Sequence, residues 1–275
     1  MNDAAPIEPR PASTVLLLRD GPGGIEVLMV TRNVASDFAS GALVFPGGRV
    51  DAADADPAML ARCCEVPGLD GRAMAFRVAA VRETFEEAHV LLARPRSGDR
   101  LLSSEELRAL EAGVEGRLGN APDFAALVLT GEIELATDLL VPFAHWITPV
   151  GPPKRFDTHF FLAPMPAAQV AAHDGREAVE TVWIAPHHAI AESEARRVTL
   201  VFATRMNLAK LGRSATTAQA LAAAHADTIV TVCPELVEGP EGKLLRIPAA
   251  AGYGITEMPA NLTARAWVPR GSGTP

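Results

Sequence analysis

The chain has 275 residues, 48% hydrophobic and 21% charged, with a formal net charge of −8, so it is long enough to bury a sizeable core. The acidic balance argues against nonspecific nucleic-acid binding, and no apolar run reaches the roughly 18 residues that a membrane span needs. Cys63, Cys64 and Cys233 show neither CxxC spacing nor an even count, which excludes a disulfide framework or a cysteine zinc site from the expectations. The opening Met1-Asn2-Asp3-Ala4-Ala5-Pro6 has neither the basic nor the apolar region of a leader, and the cytoplasm is the expected location.

Residues 1–11, rich in Pro and Ala, read as a flexible arm. Two apolar runs, 15–19 and 25–32, flank Gly21-Pro22-Gly23-Gly24 and predict a β-hairpin. A strand over 41–45 then runs into Pro46-Gly47-Gly48, where glycine lets a main-chain carbonyl approach a ligand closely. Residues 51–72 read as a loop with a short helix near 58–64.

The most informative segment is 73–92, predicted as a helix. Glu83, Glu86 and Glu87 stand at i, i+3 and i+4, and so share one face. Val78, Val81, Phe85 and Leu92 form an apolar stripe on the other. The like charges repel, and Val90 and Leu91 supply no counter-charge one turn on. A hard divalent cation, Mg²⁺ or Mn²⁺, would relieve the repulsion; a solvated acidic stripe is the alternative reading.

Further on, Ser103 and Glu106 form a capping box that opens a helix to about 116, and 121–130 reads as another. Neither carries a chemical motif, so 96–140 is expected to be a helical lid or wall. Residues 146–148, 158–163 and 181–184 read as strands, and 198–211 and 217–225 as helices. Basic residues are too scarce in 215–230 for this last pair to read DNA. Residues 229–232 and 243–247 suggest a small β-extension. The seven histidines, including His187 and His188, show no metal-ligand spacing.

Gly48, Arg82, Glu83, Glu86, Glu87 and Val90 together resemble the signature of the Nudix hydrolases, G-x5-E-x7-R-E-U-x-E-E-x-G-U, with U a bulky apolar residue. There are three departures. Arg82 follows Gly48 by 34 positions, about 20 more than in the plain motif. The first-half Glu has no clear counterpart, Asp54 standing six positions after Gly48. His89 replaces the closing glycine.

The interrupted box resembles the branch that contains coenzyme A diphosphatases. The resemblance implies an α/β fold, a Nudix-type α/β/α sandwich with a mixed sheet, a helical insertion and a small C-terminal extension. The domain would span 12–212, with an insertion at 49–72, and 213–275 would be the extension. It implies that Gly48, Glu83, Glu86 and Glu87 bind Mg²⁺ or Mn²⁺ and that Arg82 orients the carboxylates. Glu177, ahead of the strand at 181–184, is the candidate general base, and Glu83 competes with it. Arg32, Phe45, Arg155 and Asp157 are the substrate-side candidates, although an Arg155–Asp157 ion pair is an equal reading. The implied activity is hydrolysis of a nucleoside diphosphate derivative, CoA or acyl-CoA first, with ADP-ribose, a dinucleotide or a nucleotide as alternatives. A nucleotide-binding module of weak activity is the reading from another class, and a homodimer is the implied assembly.

Overall fold

The computed structural model describes residues 7–32, 42–114, 117–118, 121–172, 178–240 and 242–260. Its centre is β1 (Arg10–Gly21), whose unbroken run Val15-Leu16-Leu17-Leu18 is buried on both faces of a sheet, the pattern of an interior strand. Val15 and Leu17 enter one core cluster and Leu16 and Leu18 the other. β1 turns through Pro22-Gly23 into β2 (Gly24–Arg32), with Leu18 opposite Val27 and Gly21 opposite Gly24. Gly24 has φ +113, a conformation that side chains rarely adopt.

The strand begins five residues earlier than its apolar run. The polar first half of β1 pairs in parallel with β10 (Phe156–Pro164) on one side. On the other it meets β4 (Gly47–Arg49), with Ser13 opposite Gly48. Arg10 and Pro11 of the expected arm therefore belong to the sheet.

The remaining elements follow in order. β3 (Leu43–Val44) pairs with β2, and α1 (Pro57–Leu60) leads to α2 (Gly71–Ala88). β5 (Ala93–Pro95), α3 (Ser104–Ala112), β6 (Arg117–Leu118), β7 (Ala121–Pro122), α4 (Phe124–Thr130) and β8 (Ile133–Leu135) make the helical insertion. β9 (Val141–Ile147), β10 and β11 (Ala178–Ile184) return to the main sheet. Then come α5 (Pro186–Glu194), α6 (Phe202–Leu211), α7 (Thr217–Ala226) and β12 (Thr231–Val232). A separate sheet of β13 (Glu235–Gly239), β14 (Gly242–Arg246) and β15 (Glu257–Pro259) closes the described chain.

The main sheet runs β11-β2-β1-β10-β9-β12. It is mixed: β1/β10 and β9/β12 are parallel, the other pairs along that order antiparallel. α2 packs on one face over Val15, Leu17, Leu28 and Phe161. α5, α6 and α7 contribute to the cluster on the other face, which completes an α/β/α sandwich. Each fully buried Leu or Phe in these layers contributes about 1.5–3 kcal/mol.

Further features differ from the sequence reading. α5 was not expected, because it buries only Pro186 and Ala189 and so writes almost no period into the sequence. Described residues after 212 pack with the main sheet: β12 extends it, and Ala220, Val232, Ile247 and Tyr253 join the second cluster. The Tyr253 hydroxyl donates to Asn207 Oδ1 and accepts from Trp146 Nε1, both at 2.8 Å. Among the described residues no helix is long and apolar enough to cross a membrane.

Candidate active site

α2 starts at Asp70, whose side chain accepts a hydrogen bond from Ala73 N at 2.8 Å. Its apolar stripe, Val78, Val81 and Phe85, is at most 2% exposed, which sets the opposite rotation of the carboxylates. Two contacts fix the helix over the turn. Ser13 Oγ, fully buried, donates to Phe76 O at 2.7 Å, and Gly47 N donates to Glu87 Oε2 at 2.9 Å.

The chain between Gly48 and Arg82 thus folds back so that the glycine turn meets the helix. A Cβ built on Gly48 would come within 2.5 Å of the Glu83 carboxylate. Only glycine lets the turn approach that closely. Glu83 and Glu87 are buried, while Glu86 has a side chain 38% exposed.

Arg82 organises the cluster. Its Nε and Nη2 donate to the two oxygens of Asp54 at 2.8 and 2.9 Å, and its Nη1 donates to Glu83 at 2.7 Å and Glu86 at 3.0 Å. Nη2 also reaches Arg49 O at 2.8 Å. Burial by itself would loosen its proton, but the Asp54 bond and the charges of Glu83, Asp54 and Glu86 outweigh it, so its pKa is raised. Arg82 therefore stays a cation.

Asp54 is the residue that the sequence reading undervalued. It is 1% exposed, accepts from Asp51 N at 2.8 Å, and makes a two-pronged pair with Arg82. It stands at the position where the pattern has its first-half carboxylate. The signal was its distance of six positions from Gly48, obscured because an Asp stands where the pattern names Glu.

His89 sits at the C-terminal cap of α2 in the left-handed conformation, φ 53, with its N–H donating to Phe85 O. The chain turns here as it would with glycine, at a cost of about 1–2 kcal/mol. The His89 ring stacks on Phe85 and pairs with Glu111 at 3.4 Å.

The substrate-side candidates are dispersed. Phe45 is 3% exposed within the cluster on the sheet face opposite α2, so it packs the core and offers no surface to a ligand. Arg155 is buried and donates to the carbonyls of Ile7, Thr148 and Pro149, bracing the start of β1 against the β9–β10 connection. Its expected pair with Asp157 is replaced: Asp157 faces His145. Arg32 lies at the end of β2, paired in register with Ala178; Glu177 lies outside the described residues. α3 and α4 bury Leu107, Phe124, Leu127 and Val128 in the cluster under α2.

Elsewhere a cavity of about 660 Å³ opens where β1, β10 and β11 end, lined by Leu18, Arg19, Met165, Val170 and Trp183 among others. The Arg19 guanidinium lies 4.3 Å over the Trp183 ring. The rim segment 165–172 is tied to the end of α2 through Ala172 N and Ala88 O.

Residues 66–211 match the family model described as the NUDT19 Nudix domain. Acyl-coenzyme A diphosphatase NUDT19 of Gallus gallus is 30% identical over 245 residues, covering 70% of this chain and 65% of the relative. The Homo sapiens protein of that name is 32% identical over 206 residues, covering 60% and 55%. The chain thus spans less than two thirds of the length of these relatives. Among solved structures, a NUDIX hydrolase from Alicyclobacillus acidocaldarius superposes with a TM-score of 0.65 at 29% identity, covering 78% of this chain and 96% of that one.

Proposed function

This chain belongs to the NUDT19 Nudix family, and we propose that it is a divalent-metal-dependent hydrolase that cleaves the diphosphate of coenzyme A or its acyl esters. The observation that carries this reading is that Glu83 and Glu87 meet the Gly47-Gly48 turn while Arg82 bridges Glu83 and Glu86. Arg82 is shared among Asp54, Glu83 and Glu86, so it offsets at most one of their charges.

All the donors are hard oxygens, and two of the carboxylates are buried, a set that fits Mg²⁺ or Mn²⁺. In this reading Glu83, Glu86, Glu87 and the Gly48 carbonyl hold the cation. When bound, it neutralises phosphate oxygens and acidifies water for in-line attack.

The protein's own part is to hold those oxygens in place. Gly47 N orients Glu87, and Arg82, anchored by Asp54, orients Glu83 and Glu86. Glu177, preceding β11, is the proposed base that takes the proton of the attacking water, with Glu83 as its competitor. Arg32 is the remaining proposed phosphate contact. The names of the relatives supply the substrate.

The test is a product assay on purified protein with Mg²⁺ or Mn²⁺, by chromatography and mass spectrometry. CoA should yield 3′,5′-ADP and phosphopantetheine. Turnover of ADP-ribose or a dinucleotide without CoA would move the substrate assignment. Binding of these compounds without any hydrolysis would replace the enzyme with a binding module.

A further inference from the structure

The register of β9 and β10 places His145 opposite His159. Asp157, two residues before His159, projects to the same side of the sheet. One ring nitrogen from each histidine and a carboxylate oxygen of Asp157 all lie within 4.8 Å of one another. His145 Nε2 is hydrogen-bonded to Asp157 Oδ1, and its Nδ1 lies 2.8 Å from Thr231 Oγ1 on β12. His159 stacks on His145 with ring centroids 4.2 Å apart, and Phe76 of α2 packs against it, also at 4.2 Å. The hydrolytic site described above uses none of these groups.

We propose that His145, Asp157 and His159 form a second metal site, one that takes a borderline cation of the Zn²⁺, Co²⁺ or Ni²⁺ class. Two imidazoles and one carboxylate make a donor set that favours these ions over Mg²⁺, and three protein ligands leave a coordination position for water. Thr231 orients the outer nitrogen of His145, as an outer partner of a metal-binding histidine does. Entry of the cation would replace the His145–Asp157 hydrogen bond, with the imidazole proton carried on Nδ1 and donated to Thr231 Oγ1. Side chains 18% and 23% exposed at His145 and Asp157 leave a path from solvent.

The site is separate from the carboxylates of α2. Phe76, above His159, precedes Glu83 by two helical turns, roughly 10 Å along the axis.

The experiment is a Co²⁺ titration of the chelator-stripped full chain carrying Glu83→Gln and Glu87→Gln, which disables the carboxylate cluster. Visible d–d absorption and bound-metal analysis are the readouts. One equivalent of Co²⁺ with a d–d band is expected. In the same background His159→Gln should remove the band, and Thr231→Val should weaken binding about tenfold. If near-UV circular dichroism shows the background to be unfolded, the same titrations are run on wild-type, His159→Gln and Thr231→Val chains with excess Mg²⁺ occupying the carboxylates. No band in folded protein, or a band of equal strength and affinity in His159→Gln, overturns the proposal. CoA hydrolysis plays no part in the readout, so the two assignments stand or fall separately.

Discussion

Asp54→Ala tests the keystone of the carboxylate cluster. The side chain is 1% exposed and receives two hydrogen bonds from Arg82 and one from Asp51 N. Removing one partner of a buried pair costs about 3–5 kcal/mol when the other charge is left without compensation. Arg82 would keep Glu83, Glu86 and Arg49 O, and its side chain is 11% exposed. That residual compensation puts the loss at the lower end, about 3 kcal/mol. For a chain of this size such a loss lowers Tm by about 6–12 °C, measurable by calorimetry and by the urea midpoint at unchanged slope. Freed from Asp54, Arg82 would swing toward Glu83 and Glu86, so CoA turnover should fall at least about tenfold. Asp54→Glu, which restores the charge on a longer arm, should recover most of both losses. A variant Asp54→Ala that melts within about 2 °C of wild type and hydrolyses CoA normally would refute the anchoring role.

Glu87→Gln should keep the fold and lower turnover by orders of magnitude, because one charge leaves a dication site; near-normal turnover at saturating Mg²⁺ would count against the metal assignment. Gly48→Ala places a methyl 2.5 Å from the Glu83 carboxylate, so kcat should collapse with a Tm shift of only a few degrees, and a fully active variant would show that the turn has room to move. Arg155→Ala removes donors to three backbone carbonyls and should lower stability by about 2 kcal/mol while leaving the KM ratio of CoA to dephospho-CoA unchanged; a selective rise for CoA would return Arg155 to the substrate. In thiol titration at pH 8, exposed Cys233 should react first, because burial pushes Cys63 up to about 12 and also raises Cys64; a fast phase that survives Cys233→Ser would contradict this.

Local patterns decided much of this protein. The i, i+3, i+4 spacing of Glu83, Glu86 and Glu87 fixes which side chains share a helix face whatever else the chain does. The apolar runs around Pro22-Gly23 specify a hairpin, and Ser103 with Glu106 writes its own capping box. Each of these interactions closes within a few residues, so sequence is enough to read it. Contacts between distant segments were decided only by tertiary structure. Asp54 reaches Arg82 across 28 positions and Gly47 reaches Glu87 across 40, because the intervening chain folds back onto α2. Arg155 could be read as a phosphate ligand until its guanidinium was seen to be spent on carbonyls, one of them 148 positions away. The histidines lacked ligand spacing because spacing along the chain says nothing about strands laid side by side. His145 and His159 meet only through the register of β9 against β10, and a register is a property of the assembled sheet.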